Sequence, residues 1–160
     1  MALRRKFALG AAAAVATTLL LPAASASAAE SYDGDADQEV CLQPNQQACI
    51  YVAVEGRIGQ RYKPDDSTAG AGYLERDPSG LVARVQIDKV VLGTQTGVVA
   101  TSGSRNSGTK DSVELQGPGV LWSRNCAVSY HVAVYWSARL SNGQLKTGKL
   151  LGPYYKSPAC

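Results

Sequence analysis

The most regular pattern in the chain is CAVSYHVAVYWSARL, residues 126–140. One face of this stretch is apolar, and it carries Cys126, Val128, Tyr130, Val132, Val134, Trp136, Ala138 and Leu140. The intervening residues, which include His131, Tyr135 and Arg139, form the other face. An α-helix has a period of 3.6 residues and cannot place alternate side chains on one side over this length. The stretch therefore predicts a long β-strand with one buried face.

A hairpin is predicted directly after this strand. Asn142 and Gly143 both tolerate positive φ, and this dipeptide is the strongest sequence signal for a tight two-residue turn. The chain then returns through residues 145–151. A two-residue turn places Leu140 opposite Leu145, so that both side chains lie on the apolar face.

The register of this hairpin also predicts a disulfide. One extra residue at Gly148, a β-bulge, brings Trp136 opposite Leu150 rather than opposite a lysine. Continued to the end of the chain, the same register places Cys126 opposite Cys160. A bond between these two residues would restrict the unfolded chain and stabilise the fold.

The cysteines predict two disulfides. Cys41, Cys49, Cys126 and Cys160 are the four cysteines, and an even number is typical of exported proteins. The favoured pairs are Cys41–Cys49 and Cys126–Cys160. A metal site is the alternative, but the chain has a single histidine and no Cys-x-x-Cys pair. We therefore predict no metal and no cofactor.

The N-terminal residues have the order of an export signal. Arg4, Arg5 and Lys6 precede an uncharged run over residues 7–21 and small residues over 24–28. This order predicts a cleaved signal peptide over residues 1–29 and a secreted, extracellular protein. The apolar run is shorter than the roughly 20 residues that cross a bilayer, so no membrane span is predicted. The general secretory route and the twin-arginine route both remain open.

The charge is balanced overall but unevenly distributed. The chain has 16 Lys and Arg against 13 Asp and Glu, and the signal-peptide residues account for the excess. This balance argues against nucleic-acid binding. Acids are concentrated early in the chain and bases late, where Arg139, Lys146, Lys149 and Lys156 would suit an anionic wall polymer or an acidic protein. The alternative is that the two ends lie apart or pair loosely.

The remaining segments complete the predicted domain plan. Residues 30–40 are acidic and poor in core side chains, which predicts a flexible leader. Residues 41–160 then form a single secreted β domain. A strand is predicted over 48–54 and another over 81–92, where the apolar phase slips and predicts a bulge near Lys89.

Residues 63–80 are rich in Pro, Gly, Ser and Asp, which predicts a long irregular loop with room for a small helix at 64–76. The short strands, glycine-rich turns and long hairpin together define an all-β fold class. The predicted architecture is an antiparallel β sandwich or barrel of about seven or eight strands, with two disulfides and a long C-terminal hairpin.

Candidate ligand-binding residues are the rings and cations outside the predicted core face. They are His131, Tyr135, Arg139, Tyr154, Tyr155 and Arg105. Tyrosine rings stack on sugars or anchor protein partners, although ordinary sheet packing is the alternative for each ring. We expect a non-catalytic extracellular binding domain whose partner is a protein or a cell-wall or plant polysaccharide. One version is a protease inhibitor that presents residues 42–48 or the tip with Arg105.

A small secreted hydrolase is the alternative function. His131 would serve as its base, or carboxylates of the predicted loop would act in pairs; these are Asp65, Asp66, Glu75 and Asp77. The chain lacks the Gly-x-Ser-x-Gly elbow of serine hydrolases. We therefore predict no catalytic residue.

Overall fold

The computed structural model describes residues 31–32, 34–43, 47–59, 67–117, 119–121 and 125–156. These residues form strands and turns but no helix, which confirms the all-β prediction. The twelve strands are β1 (Ser31–Tyr32), β2 (Ala36–Cys41), β3 (Cys49–Gly59), β4 (Ser67–Arg76), β5 (Val82–Thr94), β6 (Gly97–Thr101), β7 (Arg105–Asn106), β8 (Ser112–Gln116), β9 (Val120–Leu121), β10 (Ser129–Leu140), β11 (Leu145–Leu151) and β12 (Tyr155–Lys156).

The strands form two antiparallel sheets of six strands each. In sheet I, β3 pairs with β4; β1 and β2 lie along the other edge of β3, and β8 and β9 along the other edge of β4. In sheet II, β10 pairs with β5; β11 and β12 lie along β10, and β6 and β7 along β5. The strand number exceeds the predicted seven or eight because each described sheet edge is divided between two strands.

The buried faces of both sheets contribute to one hydrophobic core. Sheet I supplies Ile50, Val52, Val54 and Leu74, and sheet II supplies Val85, Ile87, Val90, Leu92, Val132, Val134 and Trp136. The apolar face predicted for residues 126–140 is confirmed from Tyr130 to Leu140, where every alternate side chain is buried. The predicted bulge near Lys89 is also confirmed, because Tyr135 pairs with Lys89 while Trp136 pairs with Ile87 and Asp88 is skipped.

The predicted hairpin register is wrong by one residue. Arg139, not Leu140, pairs with Leu145, because Ser141, Asn142 and Gly143 form a three-residue loop. The amide of Gly143 donates to the Leu140 carbonyl at 2.9 Å, and Gly143 itself adopts a φ of 87°. No bulge forms at Gly148, and the predicted pairing of Trp136 with Leu150 is also wrong, because Leu150 pairs with Val134.

Gly148 instead provides space for an aromatic ring. It pairs directly with Trp136, and a Cβ atom built on Gly148 would overlap the indole ring. The glycine therefore allows the large ring to lie across β11 on the core side of the sheet.

The segment predicted as an irregular loop contains a central strand of sheet I, β4. Residues 60–66 lie outside the described residues, but Ser67–Arg76 pairs with β3 on one side and with β8 and β9 on the other. A Cβ atom at Gly70 would be 2.7 Å from the Val132 methyls, and one at Gly72 would be 2.8 Å from a Val134 methyl. The glycines that suggested a loop thus allow the two sheets to approach closely.

Part of the predicted leader is also ordered into a strand. Ala36–Cys41 forms β2 and pairs with β3 along its whole length. The Cys41–Cys49 disulfide joins these strands, as predicted. Cys126 is disulfide-bonded too, but Cys160 lies outside the described residues, so its pairing with Cys126 stays a prediction. The predicted signal peptide also lies outside them.

Candidate binding face

The outer face of sheet II carries a row of two lysines around a tyrosine. Tyr135 on β10 pairs with Lys89 on one side and Lys149 on the other. The Lys89 Nζ lies 4.5 Å from the centroid of the Tyr135 ring, and the Lys149 Nζ lies 5.2 Å from it. Cation–π attraction at these distances holds both ammonium groups over the ring. Tyr135 therefore positions two positive charges.

A pair of arginines forms a second cationic row on the same face. Arg139 pairs directly with Arg84 of β5, and both side chains are exposed. Arg139 donates a hydrogen bond to the Gly143 carbonyl at 3.3 Å. Like charges directly opposite each other destabilise a sheet, so this pair is unfavourable unless an anion binds between the two guanidinium groups.

One acidic side chain lies between these rows. The Asp88 carboxylate accepts hydrogen bonds from Gln86 Nε2 at 2.8 Å and from Ser137 Oγ at 2.9 Å. Asp88 and the two arginines line a shallow depression of about 290 Å³. Asp88 keeps its negative charge, but it forms no ion pair with either arginine among the described residues, so both guanidinium groups can still meet an external anion.

An aromatic pair occupies the end of the face beyond Tyr135. The rings of His131 and Tyr154 meet edge to face with centroids 4.7 Å apart. A Cβ atom on Gly93 would be 2.6 Å from His131 Cε1, so this glycine leaves room for the imidazole. Desolvation by burial, with the charge of Lys149 adding to it, lowers the pKa of His131. The imidazole is therefore mainly neutral at pH 7, and its buried Nδ1 has no hydrogen-bond partner among the described residues.

Four of the six predicted ligand-binding residues share this face. His131, Tyr135 and Arg139 follow one another on β10, and Tyr154 joins them beside His131. Tyr154 is 53% exposed, whereas the rings of His131 and Tyr135 belong to partly buried residues. The alternation of β10 places His131, Tyr135 and Arg139 on one side, whereas no sequence pattern joins Tyr154 to them. That these residues bind a ligand stays a prediction.

The other two predicted residues lie elsewhere. Tyr155 is buried in the core, where its hydroxyl and that of Thr68 are 2.7 Å apart and hydrogen-bonded. Burial raises the pKa of Tyr155 to about 12. Arg105 lies on β7 and donates to the Glu114 carbonyl at 3.0 Å. This hydrogen bond connects β7 to β8.

The basic patch predicted from the sequence lacks the cations that β5 contributes. That patch contains only bases that are close together in the chain. It includes Lys146, which pairs with core-facing Ala138 and therefore lies on the other side of the strand. Arg84 and Lys89 belong to the face because β5 is the neighbour of β10. The alternation of β5 would reveal them once the skipped residue at Asp88 is counted.

The hydrolase alternative gains no geometric support from the described residues. His131 has no hydrogen bond to a serine or carboxylate among them; Asp65 and Asp66 lie outside them. Glu75 accepts a hydrogen bond from the Tyr73 hydroxyl at 2.8 Å, and Asp77 accepts one from the Ser79 amide at 2.6 Å. These carboxylates therefore have structural partners.

No protein-family model matches this chain, and no curated protein matches it. Within the described ranges, the fold contains no helix with the length and apolar character needed to cross a membrane. The candidate face thus has to be interpreted from its own chemistry.

Proposed function

We propose that this chain is a secreted, non-catalytic β-sandwich domain that binds an anionic extracellular polysaccharide along the outer face of sheet II. The proposal includes two disulfides, Cys41–Cys49 and Cys126–Cys160, and a signal peptide over residues 1–29. The observation that carries it is the pair of cationic rows, one around Tyr135 and one at Arg139, on a single sheet face.

The spacing of the rows favours an extended ligand. Tyr135 and Arg139 are four residues apart on β10, which corresponds to about 14 Å along a strand. A small anion would contact one row only, whereas a linear polyanion spans both. Lysine provides point charges, and arginine provides a planar fork for carboxylate, sulfate or phosphate oxygens.

The aromatic end of the face supports a sugar polymer over an acidic protein. Tyr154 presents an exposed ring in line with the two cationic rows, and tyrosine rings stack well against the apolar faces of sugars. The Tyr135 ring is not available for stacking, because two ammonium groups lie over it.

A binding assay with immobilised polymers tests this function. We expect the purified, disulfide-bonded protein to bind polygalacturonate and to be released by salt, while dextran, a neutral glucan, retains none of it. The double variant Lys149→Gln/Arg139→Gln should lose affinity by about tenfold or more. Lys110→Gln, in the exposed turn before β8, is the control and should bind like the wild type.

Two outcomes would reject the proposal. Equal losses in the double variant and in Lys110→Gln would mean that attraction is non-specific. Tighter binding to polyglutamate than to polygalacturonate would identify an acidic polypeptide as the ligand instead.

A further inference from the structure

The outer face of sheet I has the opposite charge to the outer face of sheet II. Its described side chains include Asp37, Glu39, Glu55, Glu75 and Glu114, which the register places on one side of β2, β3, β4 and β8. Arg76, at the end of β4, is already paired with Asp111 at 2.7 Å. We call this surface the acidic face, and the outer face of sheet II the basic face.

Two tyrosines fix carboxylates on the acidic face. The Tyr51 hydroxyl donates to Asp37 at 3.1 Å, and the Tyr73 hydroxyl donates to Glu75 at 2.8 Å. The two rings meet edge to face with centroids 6.2 Å apart. The carboxylates are therefore held in place without neutralisation, since a phenol donates a hydrogen bond but carries no positive charge.

The acidic face also contains a depression that suits a cationic side chain. Ala71 and Gly72 form its base, and Glu55, Tyr73 and Glu114 stand around it, enclosing about 190 Å³. Small residues in the central strand thus leave a hollow beside the Glu114 carboxylate. A lysine or arginine end group from a partner would fit this arrangement by charge.

We propose that the acidic face binds the basic face of a second copy of this chain, so that molecules associate head to tail. Among the described side chains, the acidic face carries carboxylates and the basic face carries cations in excess of its one acid, Asp88. Both faces also carry tyrosine rings, which makes the two surfaces complementary. Each sheet turns its other side to the shared core, so the two faces lie on opposite sides of the molecule. Such a heterologous contact leaves one free face at each end and builds open chains rather than closed dimers.

The association should be reversible and sensitive to salt. Exposed ion pairs contribute little each, and the contact depends on many of them acting together. The Debye length falls from about 30 Å at 0.01 M salt to about 3 Å at 1 M. The proposal needs only a second copy of the chain, so it stands whether or not a polysaccharide binds.

Sedimentation velocity on the purified, disulfide-bonded protein gives the first test. We expect the mean mass to rise with protein concentration at about 0.01 M salt and to return to that of the monomer at about 1 M. A protein that stays monomeric at every concentration and salt, or a dimer that salt does not dissociate, overturns the proposal.

A pair of complementary variants gives the decisive test. The first, Glu39→Gln/Glu75→Gln/Glu114→Gln, keeps only the basic face. The second, Lys89→Gln/Arg139→Gln/Lys149→Gln, keeps only the acidic face. Each alone should be monomeric, whereas a mixture should form a one-to-one complex that grows no further, because each molecule then has one competent face.

Lys110→Gln is the control and should associate like the wild type. Thermal unfolding of each variant shows whether its fold is intact before the masses are compared. Association of either triple variant by itself, or a mixture in which both remain monomeric, contradicts the head-to-tail contact. Polygalacturonate binding by the first variant distinguishes this result from a failure of the proposed function, because that variant retains the whole basic face.

Discussion

Several glycines in this fold stand where an aromatic ring needs the space. Gly148 lies against the Trp136 indole, and Gly93 lies against the His131 imidazole. A Cβ atom on Gly56 would be 2.6 Å from the Tyr155 ring. Their φ angles are ordinary for any residue, so these glycines are required by close approach rather than by backbone conformation.

Replacing Gly148 by alanine should destabilise the protein by about 1–3 kcal/mol, because the new methyl group forces the indole or the strand to move. Urea unfolding measures this change, and Trp136 fluorescence should shift as the ring moves. Gly103→Ala is the matched control, since a Cβ atom there has nothing within 4 Å. Equal stability of the two variants would show that the indole does not depend on Gly148.

His131 should make the stability depend on pH. Its pKa is lowered from the ordinary 6.5, so between the folded-state pKa and 6.5 the unfolded chain binds more protons than the native protein. Stability is therefore full above pH 6.5 and falls as the pH decreases below it. His131 is the only histidine, so His131→Gln should remove this slope in melts from about pH 7.5 to 5.5. An unchanged slope in the variant would contradict the neutral, partly buried imidazole.

At the scale of strands, a buried hydrogen bond between two side chains connects the two sheets. Tyr155 belongs to β12 of sheet II, and its hydroxyl meets that of Thr68 in β4 of sheet I. Both residues are buried, so bulk water cannot replace this hydrogen bond if one partner is removed. The short strand β12 thus helps to fix sheet II against sheet I.

Tyr155→Phe should lower the free energy of unfolding by about 1–2 kcal/mol, because it removes a buried hydrogen bond while keeping the ring. The neighbouring Tyr154→Phe provides the comparison, since that ring is 53% exposed. The free energies of unfolding that denaturant titrations give for the two variants should differ by most of this loss. A larger loss for Tyr154→Phe would mean that the hydroxyl of Tyr155 is not structural.

The Cys41–Cys49 bond stabilises the junction of β2 and β3. The two cysteines are eight positions apart, and closing so short a loop contributes about 2.5 kcal/mol in the chain-entropy model. The double variant Cys41→Ala/Cys49→Ala should lower the free energy of unfolding by about 2.5 kcal/mol. Hydrogen exchange should show the largest loss of protection along β2, and a uniform loss over both sheets would contradict the local role.

The strands that could be predicted from sequence are those whose side chains alternate clearly. The long strand β10 has this pattern, and so does the first half of β3, which lies at the strand predicted over 48–54. Strand β4 could not be found, because Gly70 and Gly72 are explained only by the side chains of the opposite sheet. The hairpin register was missed for a similar reason. It depends on the conformation of Gly143 and on the space that Trp136 needs.

At the scale of the whole molecule, charge is separated between two faces that the sequence shows only as an acidic start and a basic end. Strand β5 supplies Arg84 and Lys89 from the middle of the chain, and β4 and β8 supply Glu75 and Glu114. The binding face could therefore be predicted along β10 but not across the sheet, because neighbouring strands are distant in sequence.

Both proposed partners use the basic face, so the polyanion and a second copy of the chain should compete for it. Both need the lysines around Tyr135 and the guanidinium of Arg139, so a bound polymer leaves no basic face for a neighbour. Saturating polygalacturonate should reduce the head-to-tail contacts at low salt. The variant Glu39→Gln/Glu75→Gln/Glu114→Gln should bind the polymer at least as tightly as the wild type, because no second copy of the variant competes for the basic face. Sedimentation velocity at saturating short oligogalacturonate, which can occupy only one molecule at a time, measures the first effect. Fluorescence anisotropy with the labelled oligosaccharide measures the second. If protein–protein association is unchanged at saturation, the two partners occupy different surfaces, and the assignment of one of them to sheet II is wrong.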